Sequence, residues 1–534
     1  MTLKKSWQNL LNGYKIIRWD FSLRSCLILL FTFISFYKGN AQGWKRKYYL
    51  SGASTASSRE AFEAPNGDYV VVGTSVDTSK SQPYNALTVI GTDSAGNLKW
   101  HKTYGNSKFQ YIQNNLNFRA PIVKTDSAFY HTTIIIDSSG TYGSVLIKFN
   151  YNGDTIWQRK YYSGINGENL YLQAINQSVD GGFILGGTIE DFNNHNRFGF
   201  FLKTNRFGME LWRKKINKNY PNTQDVKSLV QDSTTKKIIA VGYQYILVNN
   251  NFGVESNILF LDSLGNKLLQ TSYNNFNGGP FAELIQLKDR HFLTCGTMNT
   301  YNDLGNLKRY RPTTVKFDIN GNQIWTKVYD TLSPFTCMTS LHELANGDIM
   351  MGGYIDTMIN YNLLGPMKMR MYKTDSNGTL KWKRYVGAAI DDQSSEHLWS
   401  MNPTKDGGYI LTGRLVLGPD PRPFDVVKVD ANACDSSTVY CEEKILANLN
   451  EQDKIVDQNI KIYPNPFHDV LSIEFENTPN YFVTTVIDIL GRELNRTHLI
   501  ENHQINLTDL KPGIYFLRII VDKVVVLSKK IVKE

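Results

Sequence analysis

The chain has 534 residues, 41% of them hydrophobic and 12% aromatic, which is enough for two or three domains with a sizeable packed core. Its formal charge of +9 is unevenly spread: residues 1–41 hold six basic side chains against Asp20 alone, so everything after them carries only +4. No cluster of Lys and Arg interleaves with aromatics in that remainder, which argues against a nucleic-acid partner.

Residues 1–41 read as a signal peptide. Basic residues precede the apolar run CLILLFTFISFY (26–37), and the small residues Gly39 and Ala41 suit cleavage before Gln42. Twelve apolar residues are too few for a membrane helix. The mature chain is expected to have no transmembrane segment and to leave the cytoplasm.

The next 400 residues are organised by a ladder: Trp44, Trp100, Trp157, Trp212, Leu269, Trp325 and Trp382 recur at intervals of 55 to 57 residues. A fixed period of this size marks a repeat array. Each rung ends a longer phrase, such as NGDYVVVGT (66–74) followed by ALTVIGTDSAGNLKWHKTYG (86–105), or NGDIMMGGY (346–354) followed by MYKTDSNGTLKWKRYVG (371–387). The runs VVVG and FILGG are short, β-branched or aromatic, and bounded by Gly and Asp, as strands are. DSAGN, DSLGN, DINGN and DSNGT are hairpin turns, in which Asp bonds the local backbone and Gly takes positive φ. With one further apolar stretch before each phrase, every period holds about four strands, and four-stranded units repeated radially are propeller blades. An open solenoid is the alternative, but its repeats are usually shorter.

The ends of the ladder set the count. Trp44 has no blade before it, and one period after Trp382 the chain reads CDSSTVYCEE (434–443), with no tryptophan. The predicted architecture over residues 42–441 is a seven-bladed β-propeller whose N-terminal strand supplies the outermost strand of the last blade. Such closure removes the free edge between the first and last sheets. The ladder residues are structural, so specific function is expected in residues that differ between blades.

No catalytic residue is nominated. There is no GxSxG, HExxH or phosphate loop, and no His/Cys spacing fits zinc, so no metal or cofactor is expected. Each DxxGN turn offers one carboxylate, too few for calcium. Asp391 and Asp392 with Glu396 and His397 form the only local cluster and read as a solvated loop. Cys434 and Cys441 lie in a loop-like segment as a candidate disulfide tying off the last blade.

Residues 442–459 are polar, lack repeat features and read as a linker. The tail, 460–534, alternates apolar and polar residues in short strands separated by turns at PNP, LGR and KPG, the pattern of a small immunoglobulin-like β-sandwich. Its motifs are Tyr463-Pro464-Asn465-Pro466, DVLSIEF (469–475), DILGREL (488–494) with Asp488, Gly491 and Arg492, and LTDLKPGIYFLRI (507–519) with Leu510, Gly513 and Tyr515. Lys529, Lys530 and Lys533 follow and are expected to be exposed. This tail resembles the type A C-terminal sorting domain of proteins exported by the type IX secretion system of certain Gram-negative bacteria. The resemblance implies passage through the periplasm, contact between residues 460–534 and the secretion machinery, and a final place on the cell surface or outside the cell. The expected function is that of a non-catalytic propeller binding a glycan or protein. The alternatives are an exported polysaccharide-degrading hydrolase or lyase on a propeller scaffold, and a structural component of a surface layer.

Overall fold

The computed structural model describes residues 43–434 and 460–534, apart from 80–82, 113–119, 194–195, 217–223, 249–250, 278–280, 302–306, 330–335, 361–362, 387–395, 416–421, 476–481, 489–492, 500–503 and 522–523. The signal segment and the linker lie outside the described residues, as do Gly491, Arg492 and Cys441. All regular structure among the described residues is β-strand.

Strand β1 (Trp44–Tyr48) opens the fold. The first sheet is β2 (Ala53–Glu63), β3 (Tyr69–Asp77), β4 (Tyr84–Thr92) and β5 (Leu98–Tyr104), antiparallel and in chain order. In the second, β6 (Phe109–Ile112) and β7 (Ile122–Lys124) both pair with β8 (Phe129–Asp137), and β9 (Tyr142–Phe149) and β10 (Thr155–Tyr161) follow. The third is β11 (Glu168–Gln177), β12 (Phe183–Asp191), β13 (Asn196–Thr204) and β14 (Glu210–Ile216), and the fourth is β15 (Gln224–Gln231), β16 (Ile238–Val248), β17 (Asn251–Leu261) and β18 (Lys267–Asn277). The fifth is β19 (Phe281–Gln286), β20 (Phe292–Tyr301), β21 (Leu307–Phe317) and β22 (Gln323–Val328), and the sixth is β23 (Thr336–Glu343), β24 (Ile349–Asn360), β25 (Leu363–Thr374) and β26 (Leu380–Val386). The last holds β27 (Glu396–Pro403), β28 (Tyr409–Leu415) and β29 (Phe424–Val429), with β1 as its fourth strand: Trp44 faces Lys428 and Tyr48 faces Phe424.

The repeated turn explains why the phrase recurs. Asp93 Oδ1 accepts from the amides of Ala95 (3.0 Å) and Asn97 (2.8 Å), Asn97 Nδ2 donates to Asp93 Oδ2 (2.8 Å), and Gly96 takes a φ of 80°. Asp262 with Asn266 and Asp318 with Asn322 repeat these bonds. The carboxylate therefore serves the backbone rather than a cation, and these bonds, that of Asn97 foremost, hold the Asp93 carboxyl below its usual range.

Each ladder residue packs on the next sheet's turn. A Cβ added at Gly153 would meet the Trp100 indole at 2.6 Å, one at Gly208 would meet Trp157, one at Gly265 Trp212, one at Gly321 Leu269 and one at Gly378 Trp325. Four residues beyond the tryptophan, the Tyr161 hydroxyl donates to Gly208 O (2.6 Å) and Tyr329 to Gly378 O (3.0 Å). Trp44 and Tyr48 treat Gly96 of the first sheet in the same way, with Tyr48 donating to Gly96 O at 2.8 Å. In the turn after β29 the glycine is replaced by Ala433, which holds a φ of 63° in a core cluster with Trp382 against it.

Hydrophobic clusters form between sheets. Phe62, Val70 and Val72 of the first sheet meet Phe129, Val145 and Phe149 of the second. Trp44, Ile410, Phe424 and Val426 of the last sheet meet Tyr69, Val71 and Ile90 of the first. Each fully buried aliphatic or aromatic side chain contributes roughly 1.5–3 kcal/mol.

The tail has two further sheets. One is β30 (Lys461–Tyr463), β31 (Val470–Glu474) and β34 (Gln504–Asn506), in that order. The other runs β33 (Glu493–Leu499), β32 (Phe482–Asp488), β35 (Gly513–Val521) and β36 (Val524–Lys533). Ile462, Leu471, Ile473 and Ile505 of the first and Val486, Leu517, Ile519 and Ile531 of the second share one core.

Candidate functional site

In every sheet before the tail except the second, the first strand carries a β-bulge, and the bulge residue differs from sheet to sheet. Register slips past one residue in six sheets: Arg59, Gln173, Lys227, Ala282, Thr339 and Trp399. Glycine stands opposite the residue before each bulge: Gly73, Gly187, Gly242, Gly296, Gly353 and Gly413. A Cβ at Gly73, Gly187, Gly242, Gly353 or Gly413 would run into a carbonyl of the neighbouring strand. The glycine of VVVG, ILGG and LTG thus makes room for the bulge, and bulges re-aim side chains.

Around these strands lies a cavity of about 320 Å³, lined by Pro121 and Ile122, residues 173–176, 227–230 and 281–286, and Thr339. Five successive sheets contribute to it. The volume falls at the lower end of the range for ligand pockets, about 300–1,000 Å³. Lys227 Nζ donates to Gln173 Oε1 (2.6 Å) and lies 3.3 Å from Asp225 Oδ2. Burial depresses the Lys227 pKa and Asp225 opposes that shift. The Glu283 carboxylate accepts from the Leu341 amide of the next sheet (2.6 Å), and Ser228 Oγ accepts from the Leu284 amide (3.1 Å). Gln286 Nε2 donates to Asp232 Oδ1 (2.7 Å). Burial works against the Asp232 charge, but hydrogen bonds from Thr235 and Gln286 and the charge of Arg290 bring its carboxyl down to about 2. The lining thus offers a cation, amides and one carboxylate on apolar walls, a set suited to holding a polar ligand. Among the described residues, no group of three or more His, Cys, Asp or Glu is arranged to hold a metal ion.

The ladder does not reach this cavity. Trp100, Trp157, Trp212, Leu269, Trp325 and Trp382 lie on fourth strands, away from the bulges. Sequence reading missed the bulge residues because the first strands are the least alike from copy to copy. The segments SREAFE, LQAINQ, VKSLVQ, FAELIQ, MTSLHE and LWSMNP differ at every position, so nothing in them marks the second residue as the bulge. The acidic cluster is corrected in part. Asp391 and Asp392 lie outside the described residues, but Glu396 is fully buried in an ion pair with Lys45 of β1, and His397 stacks on Tyr354 at 4.3 Å. Cys434 N donates to Asp430 Oδ1 (2.8 Å) in the final turn, and Arg384 Nη1 lies 3.1 Å from its sulfur.

In the tail, Tyr463-Pro464-Asn465-Pro466 clamps the final strand. Asn465 Nδ2 donates to Lys530 O (2.9 Å), and its Oδ1 accepts from Val532 N (2.9 Å). The amide of Phe467 then donates to Val532 O (2.8 Å), and that of Glu534 to Phe467 O (2.9 Å). Both prolines follow cis peptide bonds, and Tyr463 is exposed. Lys533 departs from expectation. It is buried, with its ammonium 5.6 Å above the Phe467 ring, 3.0 Å from Asp469 Oδ1 and bonded to His468 O. Lys529 and Lys530 are exposed as expected. Asp488 pairs with Tyr515, whose hydroxyl donates to Lys511 O (2.8 Å). Leu510 packs against the core beneath, while Gly513 opens β35.

The model of the family described as "Secretion system C-terminal sorting domain" matches residues 461–534. The tail is a type IX secretion sorting domain. It implies interaction with the secretion machinery and export to the cell surface or extracellular space. The sorting domain covers the segment in which the Asn465 clamp lies. Comparison with curated proteins finds no match. Similar solved structures include a protein of unknown function from Dyadobacter fermentans (8% identity, 72% of this chain and 97% of that one, TM-score 0.40). A PL25 ulvan lyase is another (8%, 73% and 96%, TM-score 0.46). A third is the β-propeller domain of the trilobed protease from Pyrococcus furiosus (8%, 73% and 100%, TM-score 0.40). Before the sorting domain, the described residues are all-β, arranged in successive antiparallel sheets. Among the described residues no helix is long and apolar enough to cross a membrane.

Proposed function

We propose that residues 42–441 close into a seven-bladed propeller, joined by a linker at 442–459 to the sandwich at 460–534, and that the exported protein binds a glycan in the cavity between its first strands. The ring reading is supported by contacts that repeat across the junction of the last and first sheets. Lys288 N donates to Glu343 Oε2 (2.8 Å) between the fifth and sixth sheets, and Lys405 N donates to Glu63 Oε2 (2.6 Å) between the last and the first. The binding reading rests on one observation: the bulge residues Gln173, Lys227, Ala282 and Thr339, which differ in chemistry from sheet to sheet, all line the cavity, whereas the ladder and turns repeat because each sheet needs them. Amide, hydroxyl and ammonium groups on apolar walls suit a sugar's hydroxyls and its ring faces.

Two experiments test this. A glycan array probed with the exported protein is expected to give specific hits that Ala282→Trp, which fills the cavity from one side, abolishes. Hits that survive the substitution place binding elsewhere, and a blank array paired with specific protein capture favours a protein ligand. For export, deleting residues 460–534 is expected to leave the protein in the periplasm. Surface display of the truncated protein would refute the route.

A further inference from the structure

The strongest unused feature is a cationic and aromatic cluster where the last sheet meets the first. It lies at the end of the last sheet where β27 begins and β28 finishes. His397 and Arg414 are cross-strand partners on β27 and β28, so their side chains share a face. Arg422, just before β29, pairs with the start of β2: Ala56 N donates to Arg422 O (3.0 Å) and Arg422 N to Ser54 O (3.2 Å). Arg59, the bulge residue of β2, is buried, with its guanidinium carbon 4.9 Å from the centre of the Trp399 ring. Trp399 meets His397 edge-on at 5.0 Å and Tyr354 at 5.9 Å. His397 Nδ1 is buried and has no hydrogen-bond partner among the described residues.

We infer that Arg59, Arg414, Arg422 and His397 form a binding site for an oxyanion, a carboxylate or a sulfate or phosphate group on an acidic ligand. Three guanidinium groups arrive from three separate segments. Their mutual repulsion is felt locally: burial and then Arg414 depress the Arg59 pKa to about 9, and burial followed by Arg422 lowers that of Arg414. Among the described residues, Arg414 makes no ion pair with a carboxylate. Glu396, one residue from His397 on β27, points to the opposite face, where Lys45 holds it. Arginine's planar fork matches carboxylate, sulfate and phosphate geometry, and the Trp399 and Tyr354 rings exclude water, which strengthens the attraction. Arg414 and Arg422 remain partly exposed and give a ligand access. The site is separate from the 320 Å³ cavity, so it stands or falls independently of glycan binding there.

Equilibrium dialysis of the purified full chain against labelled sulfate, phosphate and glucuronate, at constant ionic strength in chloride, tests it. Saturable uptake at one site per chain is expected for at least one probe. Sulfate or phosphate alone would identify a tetrahedral anion; glucuronate as well would identify the carboxylate of an acidic sugar. The pair R414Q and R422Q is expected to weaken uptake about tenfold or more. R414K with R422K, which keeps the charges but loses the fork, is expected to fall between. The melting transition of each variant reports that it is folded. Absence of saturable uptake of all three probes at millimolar concentration overturns the assignment, as does uptake unchanged in the glutamine pair.

Discussion

The indole of Trp44 lies against the turn glycine Gly96, where an added Cβ would meet it at 2.9 Å, although Trp44 sits on the outer strand of the last sheet and Gly96 in the first. The same contact links Trp100 to Gly153 and Trp325 to Gly378, between sheets adjacent in sequence. Gly96 and Gly67 share a positive φ, 80° and 87°, but among the described residues nothing lies within 4 Å of a Cβ at Gly67. Gly67→Ala is therefore expected to cost about 1 kcal/mol from backbone strain alone. Gly96→Ala is expected to cost about 1–3 kcal/mol more, because Trp44 must move. Chemical denaturation of both variants measures the difference; equal losses would mean that the Trp44 contact contributes nothing.

Asp425 should make stability depend on pH in an unusual direction. It is fully buried, and among the described residues neither carboxylate oxygen has a hydrogen-bond partner. Burial pushes its carboxyl up to about 6, against the pull of Lys45 and with the push of Glu396. The folded pKa lies above the unfolded value of about 3.9, so the native state binds the proton more tightly. This group's contribution is therefore fully present below about pH 4 and is lost as pH rises through about 6. Asp425→Asn is expected to stabilise the protein by about 1–2 kcal/mol near pH 8 and to give no gain near pH 4. Melting temperatures across that range provide the check; a gain independent of pH would rule out Asp425 as the source.

Lys227 and Asp225 should behave as a pair. Both side chains are almost wholly buried, and Asp225 Oδ1 also accepts from Thr188 Oγ1 at 2.6 Å. Lys227→Met strands a buried carboxylate and is expected to cost about 3–5 kcal/mol. Adding Asp225→Asn should recover most of that loss. A double-mutant cycle in denaturant reads the coupling, and additive losses would show that the two side chains act separately.

Asn465 is predicted to hold the last strand of the sorting domain. Asn465→Ala leaves Lys530 O and Val532 N without their partner and should cost about 1–3 kcal/mol. Asn465→Asp keeps the acceptor for Val532 N but places a charge against Lys530 O, so it should not rescue. Protease sensitivity of the C-terminal strand in the exported protein distinguishes the variants. Wild-type resistance in Asn465→Ala would show that the clamp is dispensable.

Much of this was legible in the chain because it depends on local periodicity. The spacing from Trp44 to Trp382, the Asp or Asn that caps each turn and the alternation of the tail are set by strand geometry and turn chemistry within a few residues. The sorting domain could be read from its motifs for the same reason: Pro464, Asn465 and Pro466 act close to one another in sequence. The side chains around the cavity could not. Gln173, Lys227 and Thr339 are recognisable only once first strands from different sheets stand side by side, and a bulge shows itself only through the register of its partner strand. Glu396 looked solvated because it follows Asp391 and Asp392, yet Lys45, 351 residues away, holds it in the interior. Lys533 looked like an exposed terminal charge until Phe467 and Asp469 were found against it. The sequence by itself determined the repeat, the turns, the strand content and the sorting tail. The tertiary structure decided which charges are buried and which variable residues converge, because burial and pairing depend on contacts between segments far apart in the chain.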